Sequence, residues 1–198
     1  MNVSIEDIKK LKELTGIGLT DAKSALTEAQ GDFDKALSVL RKKGLTKAEK
    51  KGDREAREGV IDSYVHSGRI GVLVEVNCET DFVARTDNFK TFAHEISLQI
   101  AAMSPVYISE ADIPEAEFKR VQTEARERVL AEGKPADIAK KIVDGQVKKH
   151  FDEKVLLNQI YIKNEKQTVG DFVKENISIV GENIIIRQFK RIELGLSE

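Results

Sequence analysis

Residues 59 to 77 read GVIDSYVHSGRIGVLVEVN, two alternating runs of β-branched and polar residues on either side of Ser67-Gly68. A period of two sends successive side chains to opposite faces of a strand, and a two-residue link ending in Gly is a hairpin signal. An antiparallel sheet is therefore required. Ile70, Val72, Val74 and Val76 share one face, while the other shows Leu73 beside Glu75 and Asn77. One side of this sheet is expected to be covered and the other left partly open. The cover is assigned to NFKTFAHEISLQIAAM, where Phe89, Phe92, Ile96, Ile100 and Met103 form a stripe at helical spacing.

Upstream, residues 4 to 41 break into three short amphipathic helices. Ile5, Ile8 and Leu11 mark the first, Ala22, Ala25 and Leu26 the second, and Phe33, Leu37 and Leu40 the third. Gly16 and Gly18 interrupt the first gap, Thr20 or Asp21 is a candidate cap for the second helix, and Gly31-Asp32 ends it and starts the third. Residues 41 to 58 then carry eight Lys or Arg against four Asp or Glu with almost no apolar periodicity, the composition of a solvated linker with at most a short helix.

Downstream, residues 115 to 155 read as a helical hairpin joined at Gly133-Lys134-Pro135, a stop followed by a start. Phe118, Val121, Ala125 and Val129 are expected to face Ile138, Ile142, Val147 and Phe151. A short helix with a capping-box pattern from Thr168 to Asp171 precedes a last strand, ENIIIRQFKRIEL, which closes the sheet around the inserted helices. The class is α+β. The expected organisation is a three-helix domain over 1–44, a charged linker over 45–58, and an α+β core over 59–198 with its helical hairpin at about 115–155.

Chemistry of its own finds little support in the chain. Gly16-Ile17-Gly18 starts like a dinucleotide fingerprint, but residue 21 is Asp and the segment follows a helix where a strand is required. No phosphate-cradling GxxxxGK[ST] occurs. His66, His94 and His150 lack metal-ligand spacing with the single cysteine, Cys78, whose neighbours Asn77 and Glu79 disfavour a thiolate. No catalytic residue, metal ligand or cofactor site is assigned. One cysteine forms no intrachain disulfide, no run approaches a membrane span, and no signal segment opens the chain, so a cytoplasmic location is expected. With 40% hydrophobic and 33% charged residues and a net charge of −2, a folded chain without a general nucleic-acid footprint is expected.

Three blocks remain: TGIGLTDAKSALTEAQGDFDKAL, NCETDFVARTDNF and VGENIIIRQF. Together, and in this order, they resemble the bacterial elongation factor Ts family in its short form. The resemblance runs from the first helix to the last strand and makes the three-helix domain similar to the family's ubiquitin-associated-like domain. It implies guanine-nucleotide exchange without covalent chemistry: binding to elongation factor Tu carrying GDP, disturbance of the Mg²⁺ and phosphate site, and entry of GTP. The family's TDFV motif falls on Thr80, Asp81, Phe82 and Val83. Its N-terminal contacts fall on Lys12, Leu19, Thr20 and Lys23. The contact to the third domain of Tu falls on His66. Where the family often carries paired methionines, this chain has Leu19 and Thr20, of which Leu19 keeps the apolar character. Long family members hold two related α/β units and this chain has one, so a homodimer is expected.

Two other readings compete with exchange. An adaptor built on the N-terminal domain alone leaves the TDFV block unexplained, and an RNA-binding protein using residues 41 to 58 requires steep salt dependence.

Overall fold

The computed structural model describes residues 3–15, 17–131 and 136–196, so Gly16 and the Gly133-Lys134-Pro135 link lie outside the described residues. The class is α+β, as expected from the mixture of period-two and helical patterns. The chain divides into two compact units, one comprising Met1–Asp62, Val74–His94 and Asp171–Arg187, the other Ser63–Leu73, Glu95–Gly170 and Gln188–Glu198.

The first unit opens with helices α1 (Ile5–Thr15), α2 (Leu19–Glu28) and α3 (Phe33–Glu49). Their shared core is Leu11, Ala22, Ala25, Leu26, Ala29 and Ala36, and the run of alanines lets the helix backbones approach closely. Ser4 caps α1 by accepting the Asp7 N–H at 3.0 Å while its hydroxyl donates to the Asp7 carboxylate at 2.7 Å. Two expectations fail here. Ile5 is exposed, since it sits in the first turn before the stripe reaches the core. Gly18 occupies the cap of α2 without any side-chain hydrogen bond, so neither Thr20 nor Asp21 caps it. The α2–α3 junction follows expectation: Gly31, at φ 86°, returns its N–H to Leu26 O at 2.8 Å. Asp32 then accepts the Lys35 N–H at 3.0 Å, and that bond holds its carboxyl below the usual range. The third helix continues past residue 44 to Glu49 before the chain turns and extends.

Strands β1 (Glu58–His66), β2 (Ile70–Cys78) and β5 (Ile185–Glu193) form one sheet in the order β1-β2-β5. In the first unit, Val74, Val76 and Cys78 of β2 are buried. So are Phe89 and Phe92 of α5 (Asp87–Met103), and Phe92 packs at 5.2 Å on the Phe172 ring of α8 (Val169–Val180).

The second unit contains the hairpin tip, where Ser67 and Gly68 both take positive φ, 50° and 66°, as a primed two-residue turn demands. It also holds α6 (Glu115–Ala131) and α7 (Ala136–Lys154), with Val121, Ala125 and Val129 packed against Ala139, Val143, Val147 and Phe151. The buried stripe of α7 is thus shifted by one residue at its start. Ala139 and Val143 fill the seam; Ile138 is 53% exposed and Ile142 only flanks it. Phe118 is partly exposed but stacks on Phe151 at 5.6 Å. Met103 also lies largely outside the core, at the last residue of α5.

Among the elements that the sequence does not announce is a hairpin of β3 (Ile160–Tyr161) and β4 (Asn164–Thr168), paired Ile160 to Thr168 and Tyr161 to Asn164. Buried Gln99 supports it, donating to Gln159 Oε1 at 3.1 Å and Ile160 O at 3.2 Å and accepting from Ile162 N at 2.9 Å. Every polar atom of that side chain is engaged, which offsets its burial.

Candidate partner-binding site

Strand β2 ends at Cys78, and within three residues the chain enters α4 (Asp81–Ala84), a single helical turn. The TDFV stretch is therefore a capped turn of helix. Thr80 is extended, with φ −129° and ψ 152°, and its hydroxyl accepts from Val83 N at 3.4 Å. Asp81 sits in the first turn, where a carboxylate favours the helix N-terminus, and its Oδ2 pairs with Arg85 at 2.9 Å. The chain passes straight on into α5, because the Thr86 hydroxyl donates to Val83 O at 2.8 Å and accepts from Phe89 N at 3.3 Å.

This turn has two faces. Ala84 points inward and is buried, Val83 is half-buried, and Phe82 stands 80% exposed. An aromatic ring left in water on an ordered turn loses its hydrophobic stabilisation, roughly 1.5–3 kcal/mol, until another surface covers it.

The support beneath the turn comes from the bend after α8. The Glu182 carboxylate accepts the backbone N–H groups of Glu79 and Thr80 on Oε2, at 3.1 and 3.0 Å, and the Thr80 hydroxyl on Oε1 at 2.6 Å. In return the Glu79 carboxylate accepts the Asn183 N–H at 2.7 Å. The Asn183 amide donates to the carbonyls of Gly52 and Arg54 at 3.2 and 2.7 Å, and Lys51 Nζ donates to Gly181 O at 2.5 Å. The segment after α3 is therefore stitched to the base of the TDFV turn. Neither Glu182 nor Asn183 was singled out from sequence, although Gly181-Glu182-Asn183 is a turn signal and Gly181 takes φ 81°.

Cys78 is buried and its thiol donates to Thr80 O at 3.2 Å. Burial first, then the nearby Glu182 carboxylate, push its pKa up to about 11, so the thiol stays protonated at neutral pH. Among the described residues no group of three or more His, Cys, Asp or Glu side chains is placed to hold a metal ion.

The other residues carried by the resemblance lie at the surface. Lys12 on α1 and Leu19, Thr20 and Lys23 on α2 are exposed, with Leu19 at 52%; Leu19 and Lys23, four apart, share one helix face. His66 is exposed beside the hairpin turn, its Nδ1 2.8 Å from the Tyr64 hydroxyl. Among the described residues no helix is long and apolar enough to cross a membrane.

Fold and site together define an α+β protein that holds Phe82 outward on a braced helical turn. The sequence model of the family described as Elongation factor TS matches residues 2–196. The chain is 50% identical over 194 residues to Elongation factor Ts of Thermoanaerobacter sp., covering 98% of this chain and 95% of that protein. It is 50% identical to Elongation factor Ts of Carboxydothermus hydrogenoformans, over 98% of this chain and 89% of that protein. Identity to Elongation factor Ts of Coprothermobacter proteolyticus is 48% over 196 residues, 98% of this chain and all of that protein. The chain belongs to the elongation factor Ts family and has the role of a translation elongation factor.

Proposed function

We propose that this protein is a guanine-nucleotide exchange factor for elongation factor Tu. It binds Tu carrying GDP, inserts Asp81 and Phe82 near the partner's Mg²⁺ and phosphate site, and lets GDP leave so that GTP enters. The observation that carries this reading is Phe82, 80% exposed on a turn whose next inward residue is buried.

The energetics divide the work. Exchange proceeds by linkage: whatever the factor gains in affinity for empty Tu over GDP-bound Tu, GDP loses in the presence of the factor. A thousandfold faster release needs about 4 kcal/mol of differential stabilisation. Covering one Phe supplies roughly 1.5–3 kcal/mol, so weakened Mg²⁺ coordination and the flanking interface supply the remainder. Octahedral Mg²⁺ tolerates little ligand displacement, which makes a small push there effective.

In this reading residues 1–44, similar to a ubiquitin-associated domain, dock on Tu through Lys12, Leu19, Thr20 and Lys23, and His66 meets the third domain of Tu. The factor acts in the cytoplasm, performs no covalent chemistry and touches no nucleic acid directly. It works as a homodimer, which supplies the second α/β unit. Val65, Leu73, Ile192 and Leu194, all exposed apolar residues of the second unit, support self-association. Release of labelled GDP from Tu, with and without this protein, tests the reading; an unaccelerated rate rejects it.

A further inference from the structure

We propose that Glu182 is a positioning residue for exchange: it sets the direction in which α4 presents Phe82. The inference rests on the reading that Phe82 drives GDP release.

A four-residue helix has no stability of its own, because it never recovers the cost of nucleation. Its side-chain cap is weak as well, since the Thr80 hydroxyl accepts the Val83 N–H at the long distance of 3.4 Å. Phe82, exposed to water, has little packing to hold its direction. Beyond the buried Ala84 and the Thr86 link into α5, orientation enters from below the turn. The Glu182 carboxylate receives three donors there, two backbone N–H groups and the Thr80 hydroxyl, and the hydroxyl bond is short at 2.6 Å. Bonds to an ionised acceptor are the stronger class. Thr80 is thus gripped at both backbone and side chain, immediately before Asp81 and Phe82.

The grip is itself anchored. Glu79 and Glu182 form a reciprocal clasp, in which Glu182 accepts the Glu79 N–H and Glu79 accepts the Asn183 N–H. Arg54 lies 3.5 Å from the Glu79 carboxylate, and the Asn183 amide holds the Arg54 carbonyl. Glu182 is fixed relative to the strand exit by groups on both sides, which suits a residue that aims another.

Glu182→Gln keeps the shape, but with its amide oxygen on the Glu79 and Thr80 N–H groups its NH₂ can only donate to the Thr80 hydroxyl, so the hydroxyl's own donation and the negative charge that strengthens all three bonds are lost. With Tu carrying labelled GDP, the maximal release rate at saturating factor is expected to fall about tenfold to a hundredfold, as misplacement of a reacting group by about 1 Å does. The half-saturating concentration is expected to stay within about threefold, because the rest of the binding surface is intact. Adding Glu182→Gln to Phe82→Ala is expected to slow release by much less than it does in the parent, since Glu182 acts through the turn that carries Asp81 and Phe82.

A direct readout of aim is available because the chain contains no Trp. In the Phe82→Trp variant the single indole reports mobility at residue 82, and adding Glu182→Gln is expected to lower its fluorescence anisotropy while the melting temperature holds. Unchanged anisotropy, an unchanged maximal rate, an additive double variant, or loss of the fold in Glu182→Gln overturns the positioning role. Full activity of Phe82→Ala alone rejects the reading of Phe82 instead, and the anisotropy still decides what Glu182 does.

Discussion

Phe82 and Ala84 lie two residues apart on one helical turn and are opposites in exposure, 80% against 6%. The turn is thereby anchored by its smallest side chain and displays its largest. A core plug would have the reverse arrangement.

Stability is the first consequence. A buried Phe cut to Ala costs about 3–5 kcal/mol, whereas exposed substitutions usually stay within about 0.5 kcal/mol. Phe82→Ala and the double variant Asp81→Ala/Phe82→Ala are expected to melt within a few degrees of the parent by circular dichroism. A large drop in melting temperature contradicts the exposed position.

Self-association gives a second test. Light scattering at micromolar concentration is expected to report twice the 22.1 kDa chain mass. Leu73→Asp, at an exposed position of β2, is expected to yield monomers that still fold. A parent that is strictly monomeric yet active in exchange removes the dimer from the mechanism.

The docking role of the N-terminal helices is separable by truncation, but the cut must respect the stitching after α3. Ala56 is buried, Lys51 reaches Gly181, and Asn183 holds Gly52 and Arg54. A chain starting at Lys50 is expected to keep its fold and bind Tu at least about tenfold more weakly, a loss of about 1.4 kcal/mol. One starting at Gly59 is expected to be less stable as well, because it leaves the Asn183 amide without acceptors. Calorimetry on both decides; unchanged affinity makes Lys12, Leu19 and Lys23 ordinary surface.

Cys78 supplies a pH test. Its folded pKa, about 11, lies above the ordinary 9.0, so the native state holds the thiol proton more tightly than the unfolded chain does. The associated stabilisation is complete below pH 9 and is lost as pH rises from 9 toward 11. Native protein is expected to resist alkylation at neutral pH and to show thiolate absorbance only at the upper end of that window. Rapid alkylation at neutral pH rules out a buried, protonated thiol.

How far sequence reached depended on how local the information was. The hairpin was legible because Ser67-Gly68 and the alternation around it act over a few residues, and the α2–α3 junction because Gly31 and Asp32 do the same. The register of α7 was not, since Ile138, Ile142 and Val147 fit a helical stripe nearly as well as Ala139, Val143 and Val147, and only the partner helix chooses. The β3–β4 hairpin hid in a charged stretch whose support, Gln99, lies 61 residues from Ile160. In the site, the TDFV residues came from resemblance to a family. Their support, Glu182, lies in the VGENIIIRQF block that also carries the resemblance, but Glu182 meets Thr80 across 102 residues and nothing in the chain announces that pairing.

The most direct measurement is stopped-flow release of labelled GDP from Tu, driven by the parent and by Phe82→Ala at equal, saturating concentrations. The parent is expected to accelerate release by orders of magnitude. Phe82→Ala, folded and still bound, is expected to lose most of that acceleration, in line with roughly 1.5–3 kcal/mol contributed by one aromatic ring. Equal rates from the two proteins would contradict a mechanism in which the exposed ring at residue 82 opens the nucleotide site.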